Sequence, residues 1–147
     1  DGAVVPTFTI ASLNTGGEGV RTPQILPAML MVSSEIVVDR PLRSGQRVYA
    51  KGRDLVVLAP VNPGAELIAD GSIHCYGRLR GRVLAGASGD TSATIIAANF
   101  QAELASIAGV YKTFETVPVE VSGKLIIVRL REESGTPRLV LEPLSIN

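Results

Sequence analysis

Short stretches of alternating apolar and other residues recur through the middle of the chain, and each stretch ends near a glycine or a proline. A period of two is typical of β-strands, whose successive side chains point to opposite faces. The stretches also match one another, because one shift of the chain lays Ile36, Val38, Leu42, Val48 and Ala50 over Leu55, Val57, Val61, Leu67 and Ala69. The pattern predicts a repeated unit of short strands.

Two further shifts extend the same columns. The second aligns Ile73, Cys75, Leu79, Ala85 and Ala87, and a looser third aligns Ile95, Ala97, Phe100, Leu104 and Ala108. A rung with three short strands and three corners leaves its backbone groups unpaired until the next rung stacks on it, about 4.8 Å away. We therefore predict an all-β fold, a parallel β-helix of about four rungs. The hexapeptide-type left-handed β-helix is the main rival, but its strict apolar period is absent.

The boundaries of the repeat predict three segments. Residues 1–35 are rich in glycine and proline and are interpreted as a linker or N-terminal extension, with a short strand predicted from Val4 to Ile10. Residues 36–116 form the predicted β-helix domain. Residues 117–147 form predicted C-terminal strands, and alternation within 124–142 around a Gly-containing turn predicts a β-hairpin. The hairpin is expected to pack on the last rung or to pair across a dimer, and both alternatives stay open.

The charge balance bears on the partners of the chain. Fourteen basic residues offset 14 acidic ones, for a formal net charge of zero, so no global field attracts nucleic acid or an anionic membrane. The single cysteine, Cys75, has no partner for an internal disulfide. The sequence contains neither a signal-peptide pattern nor an apolar run long enough to span a bilayer. A cytoplasmic location without direct membrane insertion is expected.

The outward-facing positions of the predicted coil fall on three sides. The first outer side is largely apolar, and its candidate dimer-interface residues are Val56, Leu58, His74, Tyr76 and Ile96. The second is mixed and comprises Arg47, Tyr49, Glu66, Ile68, Leu84, Ala105 and Ile107. The third is polar and comprises Arg43, Asn62, Arg80 and Gln101. Because a largely apolar outer side usually marks an interface, a homodimer is predicted, with the first side favoured over the second.

The sequence offers little catalytic chemistry. His74 lies beside Cys75, but adjacent strand residues face opposite ways, so the two cannot form a nucleophile pair within this strand. Motifs with metal-ligand spacing are absent from the sequence, so no metal, no cofactor and no enzymatic activity is expected. Arginines at alternate positions, Arg78, Arg80 and Arg82, predict a basic ridge that grips carboxylates on a partner or forms a solvated edge.

Several motifs fall in order at close spacing: Arg43-Ser44-Gly45-Gln46, Gly64 to Gly71, Ile73-His74 with Tyr76-Gly77, Arg80-Gly81-Arg82, Leu84 to Ala87 with Gly89-Asp90, and Ala102-Glu103-Leu104 with Ser106 to Gly109. Together they resemble the C-terminal domain of the MinC family of bacterial cell-division inhibitors. The resemblance runs from about Leu42 to Tyr111 and is weaker from Val117 onward.

This resemblance implies a right-handed β-helix that dimerises and acts without catalysis. It implies binding to the membrane-associated ATPase MinD, which brings the protein from the bacterial cytoplasm to the periphery of the inner membrane, where it opposes assembly of the FtsZ division ring. Matching residues imply a MinD-binding motif at Arg43, Ser44, Gly45 and Gln46, and a site for the acidic FtsZ tail at Arg82 with neighbouring Arg80. A self-polymerising cytoskeletal protein of the bactofilin kind is the alternative function.

The residue pattern qualifies the motif in one respect. Arg43 points outward in the alignment, and Gly45 lies near a corner, so both are suited to an exposed bend. Gln46 falls in an inward column, which predicts that its amide satisfies backbone groups of the corner instead.

Overall fold

The computed structural model describes residues 35–144, and every regular element in that range is a β-strand. None of the described residues belongs to a helix that could cross a membrane. The strands are β1 (Glu35–Val38), β2 (Arg47–Ala50), β3 (Asp54–Val57), β4 (Glu66–Ala69), β5 (Ile73–Leu79), β6 (Arg82–Ala85), β7 (Ile95–Phe100), β8 (Leu104–Ile107), β9 (Val110–Thr113), β10 (Ile126–Glu133) and β11 (Thr136–Pro143). The predicted strand from Val4 to Ile10 and the segment 1–34 lie outside the described residues.

The strands stack into a parallel β-helix of four rungs, as predicted. One sheet has the order β1-β3-β5-β7-β10-β11, and a second has the order β2-β4-β6-β8-β9. Parallel bridges from Leu42 to Val61 and from Val61 to Leu79 build a third, narrower column, which Phe100 continues beside Leu79. Each rung therefore contributes one segment to each of three sides, and its backbone groups pair with the rungs above and below.

The predicted register is confirmed on the first side. Ile36 pairs with Leu55, Leu55 with Ile73 and Ile73 with Ile95, which are the residues that the sequence shifts align. Their side chains face the interior, where Leu55, Ile73 and Ile95 are fully buried. Alternation of apolar residues was sufficient here because the strands of this side begin at equivalent points in each rung.

The predicted register is wrong on the second side of the last two rungs. Val83 and Ala105 continue the inward column of Leu67, and Ala85 pairs with Ile107, also inward. The residues that were predicted to face inward at Ala87, Leu104 and Ala108 do not lie in these columns, and Ala105 and Ile107, predicted to face outward, are fully buried.

The error arises at one corner. The first two rungs turn it with residues 43–46 and 62–65, whereas the third rung uses only Arg80 and Gly81. A Cβ on Gly81 would lie 2.3 Å from the carbonyl oxygen of Ala65, so this short corner requires glycine. The third-rung corner is two residues shorter than the first two, so it moves the register by two positions and keeps the inward and outward faces. The fourth rung turns with three residues, 101–103, and there the inward residue is Ala105 rather than the aligned Leu104, a slip of one position that exchanges the two faces.

The top of the coil is closed by antiparallel strands. β9 folds back on β8 through Ala108 and Gly109, which have φ of 51° and 87°, and this hairpin was not predicted. The predicted C-terminal hairpin is confirmed: β10 and β11 are joined through Ser134 and Gly135, with φ of 55° and 79°. Two successive positive φ angles are characteristic of the tight type I′ turn.

The C-terminal hairpin was expected either to pack on the last rung or to pair across a dimer, and in this structure it pairs with the last rung of its own chain. β10 pairs antiparallel with β7, with Ile127 opposite Ile96 and Val128 opposite Ile95. The segment 114–125 between β9 and β10 contacts the third side at Phe100, whose carbonyl accepts a hydrogen bond from the amide of Gly123 at 2.8 Å and whose ring packs edge-on against Phe114 at 5.5 Å between centroids. The last parallel rung therefore has no open edge on its first side, where an exposed strand would be a template for aggregation.

Truncation of an inward valine should destabilise the coil. Val83 is fully buried in the third rung, so Val83→Ala should lower the free energy of unfolding by about 2 kcal/mol, from roughly 0.8 kcal/mol per lost CH₂ plus a cavity term. The matched control is Val119→Ala, because Val119 is 78% exposed; its effect should stay within about 0.5 kcal/mol. Urea unfolding followed by circular dichroism measures both, and equal effects would contradict the assigned register.

Candidate partner-binding surfaces

The motif Arg43-Ser44-Gly45-Gln46 is a tight turn at the corner between the third and second sides of the first rung. The amide of Gln46 donates to the carbonyl of Arg43 at 2.9 Å, and Gly45 has φ of 86°, as the third residue of a type II turn requires. The side-chain oxygen of Gln46 accepts a hydrogen bond from the Arg43 amide at 2.7 Å. The prediction that Gln46 satisfies backbone groups of the corner is confirmed.

The equivalent turn of the second rung supports this motif. The amide of Gly45 donates to the carbonyl of Gly64 at 2.9 Å. Ser44 lies against the same glycine, since a Cβ on Gly64 would come within 2.3 Å of the Ser44 hydroxyl oxygen. Ser44, Gly45 and Gln46 are thus engaged with the scaffold, and the exposed guanidinium of Arg43 is the group that this rigid corner presents to a partner.

A ladder of charges crosses the second side. Glu66, whose side chain is 13% exposed, binds Arg47 of the rung below at 2.9 Å and approaches Arg82 of the rung above at 3.6 Å. One carboxylate therefore serves two guanidinium groups, which leaves a net positive charge on this part of the surface. Arg82 keeps 46% of its side chain exposed and is only loosely paired, so it can accept a second carboxylate.

The three arginines of the predicted basic ridge do not share a face, and the prediction of a single ridge is wrong. Arg78 and Arg80 flank the buried Leu79 on the third side, whereas Arg82 opens β6 on the second side. The short corner at Arg80 and Gly81 separates them, because the chain changes direction there and strand alternation no longer applies. The predicted FtsZ-tail residues Arg80 and Arg82 are both exposed; Arg80 belongs to this corner and Arg82 follows it directly.

The first outer side carries an apolar surface, as the alternation predicted. Its central column runs across neighbouring strands through Val37, Val56, His74, Ile96 and Ile127. Leu58 and Tyr76, which lie beside this column, are 53% and 55% exposed. The predicted interface residues Val56, Leu58, His74, Tyr76 and Ile96 therefore share one surface.

Ile127 belongs to the same surface but was not assigned to it from the sequence. The alternation of β10 identified the hairpin, yet it gave no information about which strand of the coil the hairpin joins. That pairing depends on the contact between β10 and β7, which only the tertiary structure provides.

Charges of opposite sign lie at the two ends of this apolar surface. Glu35 and Asp54 belong to the first two rungs, whereas the hairpin at the other end carries Arg129 and Arg131, which bind Glu142 at 2.8 and 2.9 Å. The hydrogen bond from Arg129 is the main reason that the pKa of Glu142 lies below its ordinary value. The apolar surface thus runs from an acidic end to an end with excess positive charge.

His74 and Cys75 face opposite sides of β5, as predicted. Cys75 is fully buried among the inward residues, and burial raises the pKa of its thiol to about 11, so the thiol is protonated and unreactive near neutral pH. His74 is half-buried on the first outer side. Within residues 35–144, no group of three or more His, Cys, Asp or Glu side chains is arranged to hold a metal ion.

Comparison with known proteins identifies relatives of this coil. A family model described as "Septum formation inhibitor MinC, C-terminal domain" matches residues 36–136. A probable septum site-determining protein MinC from Chromobacterium violaceum is 49% identical over 128 residues, which cover 86% of this chain and 49% of that protein. Its counterpart from Paraburkholderia xenovorans is 51% identical over 126 residues, which cover 84% of this chain and 43% of that protein.

A solved structure shares the fold. One chain of a MinC:MinD cell division protein complex from Aquifex aeolicus is 32% identical and superposes with a TM-score of 0.67, covering 78% of this chain and 90% of that chain. The present chain spans about half the length of the curated relatives that it matches. These similarities favour a septum-determining protein over the alternative of a bactofilin-type polymer.

Proposed function

Because the chain belongs to the family of MinC C-terminal domains, we propose that it is the dimerisation and partner-binding part of a cell-division inhibitor. In this role it binds MinD without catalysing a reaction, and MinD brings it from the bacterial cytoplasm to the inner membrane, where FtsZ ring assembly at wrong sites is blocked. The observation that carries the proposal is the family match over residues 36–136. The similarity to a chain of the MinC:MinD complex supports MinD as the partner.

The turn at Arg43 is the proposed MinD contact. Its backbone is held by the Gln46 side chain and by the second-rung turn, so little conformational entropy remains to be lost on binding. The exposed Arg43 presents a planar, permanently charged donor that suits a carboxylate or carbonyl group on the partner. Ser44, Gly45 and Gln46 contribute by shaping the corner on which Arg43 stands.

Replacement of Arg43 should test the MinD assignment. Arg43→Ala should weaken binding to MinD in the presence of ATP about tenfold or more, since a hydrogen bond to a charged group contributes about 1.5–3 kcal/mol. The fold should be retained, because the side chain is exposed. The matched control is Arg53→Ala at another exposed corner, which should bind normally in the same pull-down or titration. Undiminished binding by Arg43→Ala would overturn the assignment.

Arg82 and Arg80 form the proposed site for the acidic tail of FtsZ. Arg82 is loosely paired with Glu66 and largely open to solvent, so a peptide carboxylate need only compete with a weak contact. Arg80, in the corner that precedes Arg82, adds a second exposed cation. Because both groups are exposed, their attraction for the peptide is screened by salt over about 10 Å at 0.1 M.

Arg82→Ala should therefore reduce the affinity for an acidic FtsZ tail peptide, and the affinity of the unchanged protein should fall steeply as salt is raised. The control is Arg138→Ala, because Arg138 is an exposed arginine on the C-terminal hairpin, paired with Glu133. Fluorescence anisotropy with labelled peptide measures both effects. Binding that does not depend on salt would contradict an electrostatic site.

The first outer side is the proposed homodimer interface. Its apolar column, together with the exposed side chains of Leu58 and Tyr76, forms a contiguous apolar surface, which is typical of an interface rather than of a solvent-facing side. A second copy of the chain also suits the charges, since a two-fold axis across the coil sets the acidic end, with Glu35 and Asp54, against the Arg129 and Arg131 end of the partner. The same patch then serves both subunits.

Tyr76→Glu should test this interface by placing a charge in the apolar surface. We expect a dimer for the unchanged protein and a monomer for the variant in sedimentation at micromolar concentration, since burial of an unpaired carboxylate is costly. Tyr111→Glu is the matched control, because Tyr111 is 66% exposed but belongs to the second sheet. If Tyr111→Glu dissociates the dimer and Tyr76→Glu does not, the second side is the interface instead.

A further inference from the structure

We propose that protonation of His74 weakens the homodimer, so that dimerisation through the first outer side is pH-sensitive. The proposal rests on the proposed homodimer and concerns the regulation of that same interface. It arises from one observation: the sole histidine of the sequence lies in the middle of the apolar outer surface rather than at its polar rim.

His74 lies between apolar neighbours on both adjoining strands. It pairs with Val56 on β3 and with Ile96 on β7, and the same column continues to Val37 and Ile127. In the described chain His74 is only half-buried, so its imidazole still reaches solvent. Because His74 is at the centre of this column, the proposed two-fold axis passes close to it, and a second copy would cover it with the central residues of the same surface, including the partner's His74, and remove that water.

Few charged groups are placed to compensate a positive imidazole. Tyr76 is the titratable neighbour on the same strand, and Asp54 is the charged outward residue on β3. Asp54 lies next to Ser72, whose amide it already binds at 2.8 Å. The outward residues of β7, Ile96 and Ala98, carry no charge. Among the described strands on either side of β5, the carboxylate of Asp54 is therefore the one negative group near His74, and it lies diagonally across the strand pair and already accepts a hydrogen bond.

The sign of the effect follows from these surroundings. A neutral imidazole can be buried in an apolar interface at modest cost, whereas a cationic one must lose its hydration without gaining a counterion. Protons therefore favour the separated subunits, and the dimer is strong when the imidazole is neutral and weakens as pH falls through its titration. Because a symmetric dimer contains two such histidines, the dissociation constant can rise at most about a hundredfold per pH unit.

Sedimentation equilibrium at several pH values provides the test. For the unchanged protein we expect the dissociation constant to rise at least about tenfold between about pH 7.5 and pH 5.5, the range in which imidazole titrates. His74→Gln and His74→Leu should remove most of this pH dependence while the circular dichroism spectrum stays native. A dissociation constant that does not change with pH, or a pH dependence retained in both variants, would overturn the proposal.

A second measurement is independent of any variant. Since the sequence contains a single histidine, its imidazole gives one assignable set of NMR signals. The midpoint of their titration should move to lower pH as the protein concentration is raised and dimer accumulates; a midpoint that does not depend on concentration would contradict the proposal. A chain that is monomeric at every pH would refute the homodimer itself, whereas a stable dimer insensitive to pH refutes only the role of His74.

Discussion

Backbone hydrogen bonding between successive rungs is the interaction on which the rest of this protein depends. A single rung contains strands of only four to seven residues and cannot satisfy its own amide and carbonyl groups. Each is stabilised by its neighbours, and the interior is a narrow stack of small and medium apolar residues rather than one broad core. The ends of the stack are consequently the places where additional structure is needed, and the C-terminal hairpin supplies it at one end.

This architecture separates scaffold from recognition. Inward columns carry the packing, so exposed outward residues can vary in chemistry without disturbing the fold, whereas corners such as the one at Gly81 are restricted by close backbone contacts. The turn at Arg43 shows how a corner becomes a rigid presenting surface: three of its four residues are engaged with the scaffold, and one guanidinium projects outward. The apolar first side is built in a similar way, since equivalent outward positions of strands in successive rungs form one continuous surface.

Two features of the candidate surfaces depend on contacts between distant segments. Glu66 lies between Arg47 and Arg82 because stacking brings three rungs into register, and this arrangement leaves Arg82 only loosely paired. Ile127 extends the apolar side because β10 pairs with β7. Neither the contacts of Glu66 with the two arginines nor the pairing of β10 with β7 can be predicted from the neighbouring residues in the sequence.

Alternation and recurrence of apolar residues, read from the sequence alone, determined the all-β class, the number of rungs, the register of the first side and the hairpin near the C-terminus. They succeeded because strand side chains alternate strictly and stacked rungs must bury equivalent positions. The tertiary structure decided the second-side register, the separation of Arg78 and Arg80 from Arg82, and the pairing of the hairpin. These depend on corner geometry, such as the approach of Gly81 to the Ala65 carbonyl, and on long-range contacts that a periodic pattern does not encode.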